Sequence, residues 1–427
     1  MTRAMLWPGL CCGLGAALAG CVDQRAGITG TQSIGVELVT PIDPGDVDHR
    51  LPDGLRAITV NLTAYDAAFA IDQSFDRDVE VYAQFFGTVT PTPTLDSLTQ
   101  MVSKPLATFH LTAGRVLNQT VMLPQVFGPT TLWIEDGPKP ISETNRKIDP
   151  SYHPSYVTGT SPTLWFRDLS IADIQTPTKE DALNALVDSP LENKQITVDS
   201  SRYGDVGRLV VTSVFDQGYT VSDVKCSDAS GTPPCVAAAY DHIEVFTFGA
   251  PADQQGRPLK QGQLIDGFSG AISEFNGLTE IGFPSTIATS NAVIPDRLPA
   301  PVKLDKNTWF GPLSDPQGII NFERNEAGAI EIDDAMVCDL DHDYDDHNGQ
   351  WKIDPSGVGG SCLGRTDVIN VITTGVVANL DRTAIMALAG KTLPRVVGVL
   401  RPVEFASFNV WIIYPRSAVE LTLPPLQ

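Results

Sequence analysis

The stretch Leu209–Ile287 constrains the fold more than any other part of the chain. It reads LVVTSVFDQGYTVSDV, YDHIEVFTFGAP and GQLIDGFSGAISEFNGLTEIGFPSTI, β-rich runs separated by short glycine-containing turns. A second copy follows. GQLIDGFSGAIS (Gly262–Ser273) is echoed by GKTLPRVVGVLR (Gly390–Arg401), and in both copies two glycines stand eight residues apart. Each copy closes on a run holding a proline, EIGFPS (Glu280–Ser285) and WIIYPRS (Trp411–Ser417). A handful of short strands buries one apolar face best by closing on itself, so the repeat predicts two small barrels.

Upstream, a different pattern begins at Leu55. In AITVNLTAY the residues Ile58, Val60, Leu62 and Ala64 alternate with Thr59, Asn61 and Thr63, as in a half-buried strand. VEVYAQFFG, ATFHLTA, QTVMLP, TTLWIEDG and TLWFRDLS follow with turn signals between them. This spacing predicts a two-sheet sandwich of immunoglobulin-like type, with Trp133 and Trp165 adding core mass. SIADIQTPTKEDALNALVDSP is the one helical candidate. The expected class is all-β: a sandwich over 51–175, barrels over 188–295 and 319–423, and a Pro-rich linker over 296–318. Residues 21–50 are polar and Gly/Pro-punctuated, and predict a tether with a reach of about 30 Å.

The chain opens MTRAMLWPGLCCGLGAALAGCVDQ, one positive charge before an apolar run too short to span a bilayer. Residues 1–20 read as an export signal, and Leu18-Ala19-Gly20-Cys21 resembles the lipobox of bacterial lipoproteins. That resemblance implies a lipoprotein acylated at Cys21, palmitate being one such chain, and held at the membrane by two or more acyl groups. Val22 after the cysteine, in the lipoprotein sorting pattern, points to the outer membrane, on its periplasmic or surface side. Four cysteines remain beyond the signal and the lipid site. In an oxidising compartment they allow three pairings, of which Cys226–Cys235 and Cys338–Cys362 are the local choice.

SGAISEFNGLTEIGFPS and VVGVLRPVEFASFNVWIIYPRSAVEL are similar to the last strands of oligonucleotide/oligosaccharide-binding (OB) folds. The resemblance is to OB modules of secreted bacterial lipoproteins and extracellular nucleases, and it covers about half of the chain. It implies two OB-type barrels.

CDLDHDYDDHNGQWKID (Cys338–Asp354) is the sharpest chemical signal. Asp339, Asp341, Asp343 and Asp345 recur at alternate positions, with Asp346 and Asn348 beside them. Closely spaced hard oxygens suit calcium, which takes six to eight of them. The spacing resembles D-x-D-x-D calcium loops but departs from the EF-hand, since Asp346 stands where that loop has glycine and no glutamate closes it. The alternatives are a solvated acidic loop, or a transition metal using His342 and His347.

Signatures of G-x-S-x-G, H-E-x-x-H, P-loop or Rossmann type are missing. The charge balance, 51 acidic against 29 basic residues and a net of -22, repels phosphate backbones and favours cationic partners. In the first barrel Tyr219, Phe246, Phe248, Phe268, Phe275 and Phe283 lie on strands where OB folds stack ligands, or else fill the barrel. Only Arg208, Lys225, Arg257 and Lys260 accompany them, which makes nucleic acid an unfavoured partner. The expected function is a non-enzymatic, lipid-anchored binding or scaffold module for a protein or glycan. The alternatives are a secreted nucleic-acid-binding OB protein, or a hydrolase with an unrecognised carboxylate pair.

Overall fold

The computed structural model describes residues 30–85, 88–90, 105–136, 157–177, 188–200, 207–227, 234–310, 317–340, 349–374, 376–378, 380–405 and 408–423. The chain divides into two compact units, residues 1–165 and 166–427.

The first unit is a sandwich. Its strands are β1 (Ser33–Thr40), β2 (Ala57–Tyr65), β3 (Arg77–Phe85), β4 (Thr88–Thr90), β5 (Ala107–Leu111), β6 (Arg115–Met122), β7 (Pro129–Glu135), β8 (Thr158–Thr160) and β9 (Leu164–Trp165). One sheet runs β1-β2-β6, and the other β4-β3-β7-β8 with β5 on β3 and β9 on β7. This division of early, middle and late strands between two sheets is the immunoglobulin-like arrangement. The alternation in β2 holds: Ile58, Val60, Leu62 and Ala64 are fully buried. Facing them, Val79, Val81, Leu132 and Ile134 fill the core, while Trp133 and Trp165 are only half-buried. The core is therefore mainly aliphatic, with Phe75, Tyr82 and Phe127 buried beside these residues. The indole of Trp133 donates to Glu135 Oε2 at 2.8 Å and stays at the sheet surface.

The tether expected over 21–50 is corrected at its centre. Ser33–Thr40 is β1, paired antiparallel with β2, and Ile34 enters the core. Its alternating Ile34, Val36 and Leu38 are enough for an edge strand once β2 offers a partner. Residues 1–29, with the export signal and Cys21, lie outside the described residues.

The second unit opens with helix α1 (Ile171–Gln175), capped by Ser170 and Asp173 in a reciprocal capping box. The sandwich expected to reach residue 175 thus ends at Trp165. Of the rest of the helical candidate, 176–177 and 188–190 are not helical and 178–187 lies outside the described residues. The first barrel contains β10 (Gln195–Asp199), β11 (Gly207–Phe215), β12 (Gly218–Lys225), β13 (His242–Phe246), β14 (Leu264–Ile265), β15 (Gly267–Phe275) and β16 (Leu278–Ile287). Its order is β10-β15-β16-β13-β12-β11-β14, with β13 and β16 parallel. Closure rests on two residue pairs between β11 and β14, while β10 takes the edge of β15, so this barrel is half open.

The linker expected over 296–318 is also corrected. It holds β17 (Val302–Lys303), which pairs with the second barrel, α2 (Lys306–Trp309) and the start of α3 (Gln317–Glu323). Trp309 is buried and packs on Phe322, rings 4.9 Å apart, so the segment caps the second core rather than spacing two domains. The second barrel follows with β18 (Ala329–Val337), β19 (Gln350–Asp354), β20 (Ile369–Ile372), α4 (Arg382–Leu388), β21 (Thr392–Phe405), β22 (Phe408–Tyr414) and β23 (Leu421–Thr422). Its ring β18-β19-β20-β22-β21 closes through β18·β21, with β20 and β22 parallel. Five strands in this Greek-key order around a buried Trp351, Ile353, Val371, Val396 and Ile413 make an OB-type barrel.

The glycine echo has a structural cause. Gly262 (φ +80°) and Gly390 (φ +73°) both sit in the left-handed region before the fourth strand. Gly270 and Gly398 both lie where a side chain would strike an isoleucine of the last strand, Ile281 and Ile413.

Two disulfides, Cys226–Cys235 and Cys338–Cys362, are formed as the local pairing requires. They place the folded chain in an oxidising compartment outside the cytosol. Among the described residues, no helix is long and apolar enough to cross a membrane.

Candidate binding cleft

The two barrels of the second unit meet along their outer faces. On β13 the side chains alternate, with Ile243 and Val245 inside the barrel and Glu244 and Phe246 outside. On β21 Val396 and Leu400 point inward, leaving Val399 and Arg401 outside. Between these faces lies an open cleft of about 750 Å³. The β11–β12 turn (Phe215 to Gln217) and the β15–β16 turn (Phe275, Leu278) form its walls on the first barrel. In OB barrels the second and third strands and the turns after the first and fourth are the usual ligand face. The cleft therefore covers that face of the first barrel.

Arg401 crosses the floor. Its Nη2 lies 2.7 Å from Glu244 Oε2, and its guanidinium stacks on the rings of Phe215 and Tyr414 at 4.3 and 4.9 Å. This is a close charge pair rather than a directed hydrogen bond. Among the described residues neither Glu244 Oε2 nor Arg401 Nε has a hydrogen-bond partner, though both are buried. Burial pushes the Glu244 carboxyl up to about 7 against the opposing pull of Arg401. Glu280, its neighbour in the parallel β13·β16 register, is also raised by burial and accepts from Ser273 at 3.4 Å. Arg416, the other cleft cation, is committed to Glu420 and to the Thr212 carbonyl at 2.9 Å.

A phenylalanine rim extends from the cleft. The Phe246 and Phe248 rings are 4.5 Å apart, and Phe248 and Phe283 5.0 Å apart. Phe248 and Phe283 are 57% and 79% exposed, and both adopt left-handed backbone (φ +58° and +51°). Bulky residues there carry strain of about 1 kcal/mol or more, and such strain gathers at functional sites. Phe275, 61% exposed, is presented by a two-residue Asn276-Gly277 hairpin turn with both φ positive.

A second polar cluster lies where α1, the turn after α3 and the first barrel meet. Glu326 Oε1 accepts from the Thr279 amide at 3.0 Å and from Gln175, and Glu274 accepts from the Ser189 amide and the Thr279 hydroxyl. Glu323 Oε2 and Glu326 Oε2 are buried without hydrogen-bond partners among the described residues. Burial pushes Glu274 to about 7 and Glu323 to about 8, and raises Glu326 well above the ordinary range.

Of the aromatic residues singled out in the sequence, Tyr219 and Phe268 are core, Phe246 and Phe275 line the cleft, and Phe248 and Phe283 stack outward from Phe246. Of the basic ones, Arg257 is tied to Asp253, and the side chain of Arg208 lies outside the described residues. Of the candidate calcium ligands only Asp339 is described; it is exposed, with its amide on the Gly360 carbonyl at 2.9 Å. Asp341, Asp343, Asp345, Asp346 and Asn348 lie outside the described residues, and no metal-holding cluster occurs among those described. Asp354 is spent on structure, accepting from Ser356, Gly359 and Arg365. Sequence reasoning missed Arg401, Glu244 and Glu280. Their only local signal is a charge placed mid-strand among apolar residues.

Comparison with protein-family models, with curated proteins and with solved structures finds no match for this chain.

Proposed function

We propose that this chain is an exported, non-enzymatic binding protein that holds a protein or glycan ligand in the cleft between its two barrels. The observation that carries this reading is the pairing of an open cleft, floored by the buried Arg401–Glu244 charge pair, with a rim of strained, exposed phenylalanines. A fold pays such strain and desolvation at a working surface, not on an idle one. On the lipobox resemblance Cys21 carries the lipid and the protein sits at the outer membrane; on its alternating aspartates the acidic loop is a structural calcium site.

The cleft carboxylates argue for binding rather than hydrolysis. Glu244 is engaged by Arg401, and Glu280 accepts from the Ser273 hydroxyl. Nucleic acid is disfavoured because both cleft arginines are already neutralised by carboxylates.

The test is a block. Val214 is partly exposed on the cleft wall, and Val214→Trp fills the space without entering a core. Panels of oligosaccharides and peptides are screened against the wild-type and blocked proteins. Ligands bound by the first and lost by the second support the reading; ligands bound equally by both refute it.

A further inference from the structure

The ligand chemistry can be narrowed, on the premise that the cleft is the binding site. We propose that the cleft and its phenylalanine rim bind a polypeptide segment presenting a lysine or arginine beside an apolar side chain.

Charge comes first. Asp216, Glu244 and Glu280 line the cleft with Arg401 and Arg416, and Arg416 is matched by Glu420 just outside it. Once Glu244 and Glu280 are ionised the balance is acidic, and the chain as a whole carries -22. A cation is drawn to such a cleft and an anion is repelled. Arg401 already displays the chemistry from within: a guanidinium lying between a buried carboxylate and aromatic rings.

The rim supplies the apolar half. Phe246, Phe248 and Phe283 form a continuous ladder of rings, and the exposed Phe275 also lines the cleft. Ring faces attract the alkyl stem and the charged head of a basic side chain, and the same rings cover an adjacent leucine or phenylalanine.

The experiment uses the intact chain with Cys21→Ser, a degenerate peptide library and a panel of neutral oligosaccharides. Bound peptides should be enriched in Lys or Arg next to Leu, Ile or Phe. Affinity of a selected peptide should fall about fivefold in Glu280→Gln. It should fall about tenfold in Phe248→Ala/Phe283→Ala, whose rings are exposed and whose loss leaves the core intact. Raising salt should weaken binding to the wild type and do less to Glu280→Gln. Selection of acidic peptides, or of basic ones indifferent to these substitutions, overturns the proposal. Neutral oligosaccharides bound in place of peptides, and lost in Val214→Trp, overturn it while leaving the cleft as the binding site. Binding of neither class removes both.

Discussion

Arg401 on one barrel and Glu244 on the other stand 2.7 Å apart in a buried seam, where Arg401 Nε has no hydrogen-bond partner among the described residues. Removing one partner leaves the other charge desolvated and alone. Arg401→Met should therefore destabilise the second unit by about 3 kcal/mol, with Glu244→Gln recovering part of that loss in the double variant. Urea unfolding of the four proteins measures the coupling. Strictly additive losses would mean that the pair contributes nothing to holding the barrels.

The buried carboxyls fix a pH dependence. Glu274, Glu323 and Glu326 bind their protons more tightly in the folded chain than in the unfolded one, because burial disfavours the charge. Their contribution is complete below the ordinary value of 4.5 and is lost as pH rises toward about 8. Stability should fall across that window by an amount on the order of a few kcal/mol. His242, which burial pushes down to about 4, acts in the opposite sense, since folding loses stability as acid protonates the unfolded imidazole. The decisive comparison is Glu323→Gln/Glu326→Gln against wild type. The double variant should show a flatter fall in melting temperature from pH 5 to 9, and an unchanged slope contradicts the assignment.

The repeated glycines differ in what they tolerate. A Cβ at Gly270 would lie 2.7 Å from the Gly282 carbonyl oxygen, and one at Gly398 2.7 Å from Pro415 N. Alanine at either should cost about 2 kcal/mol or more, as overpacking against backbone does. Gly390 has open space around its missing Cβ, so alanine there should cost only about 1 kcal/mol from its positive φ. Thermal unfolding ranks the three, and equal losses would contradict the shared role of Gly270 and Gly398.

Two expectations about anchoring and metal rest on the sequence. Cys21→Ser should move the protein from the membrane fraction to the soluble fraction, and unchanged fractionation refutes the lipid anchor. Chelating calcium should lower the melting temperature if the loop from Asp339 to Asn348 binds the ion, and an unaltered melt removes that site.

The architecture was legible where period and punctuation act locally. Alternation in AITVNLTAY, the Asn276-Gly277 turn and the paired glycines each follow from backbone sterics within a few residues. The strand Ser33–Thr40 was not, because it has modest apolar content and exists through its pairing with β2. Trp309 was hidden for a similar reason: prolines around it suggest a spacer, and only the second core shows what it covers. Half of the site could be read. The phenylalanines stood out as residues able to stack, but nothing local shows which point outward. Glu244 and Arg401 are more than 150 residues apart and meet only because two barrels pack face to face.

Hydrogen exchange on the intact chain, with and without the tightest peptide or oligosaccharide from the screens, tests the central claim most directly. Protection is predicted in the segments 213–217, 244–248, 275–283 and 399–401, with the sandwich unchanged. Protection confined to the sandwich or to the loop between Cys338 and Cys362, with the cleft segments exchanging as before, would contradict it.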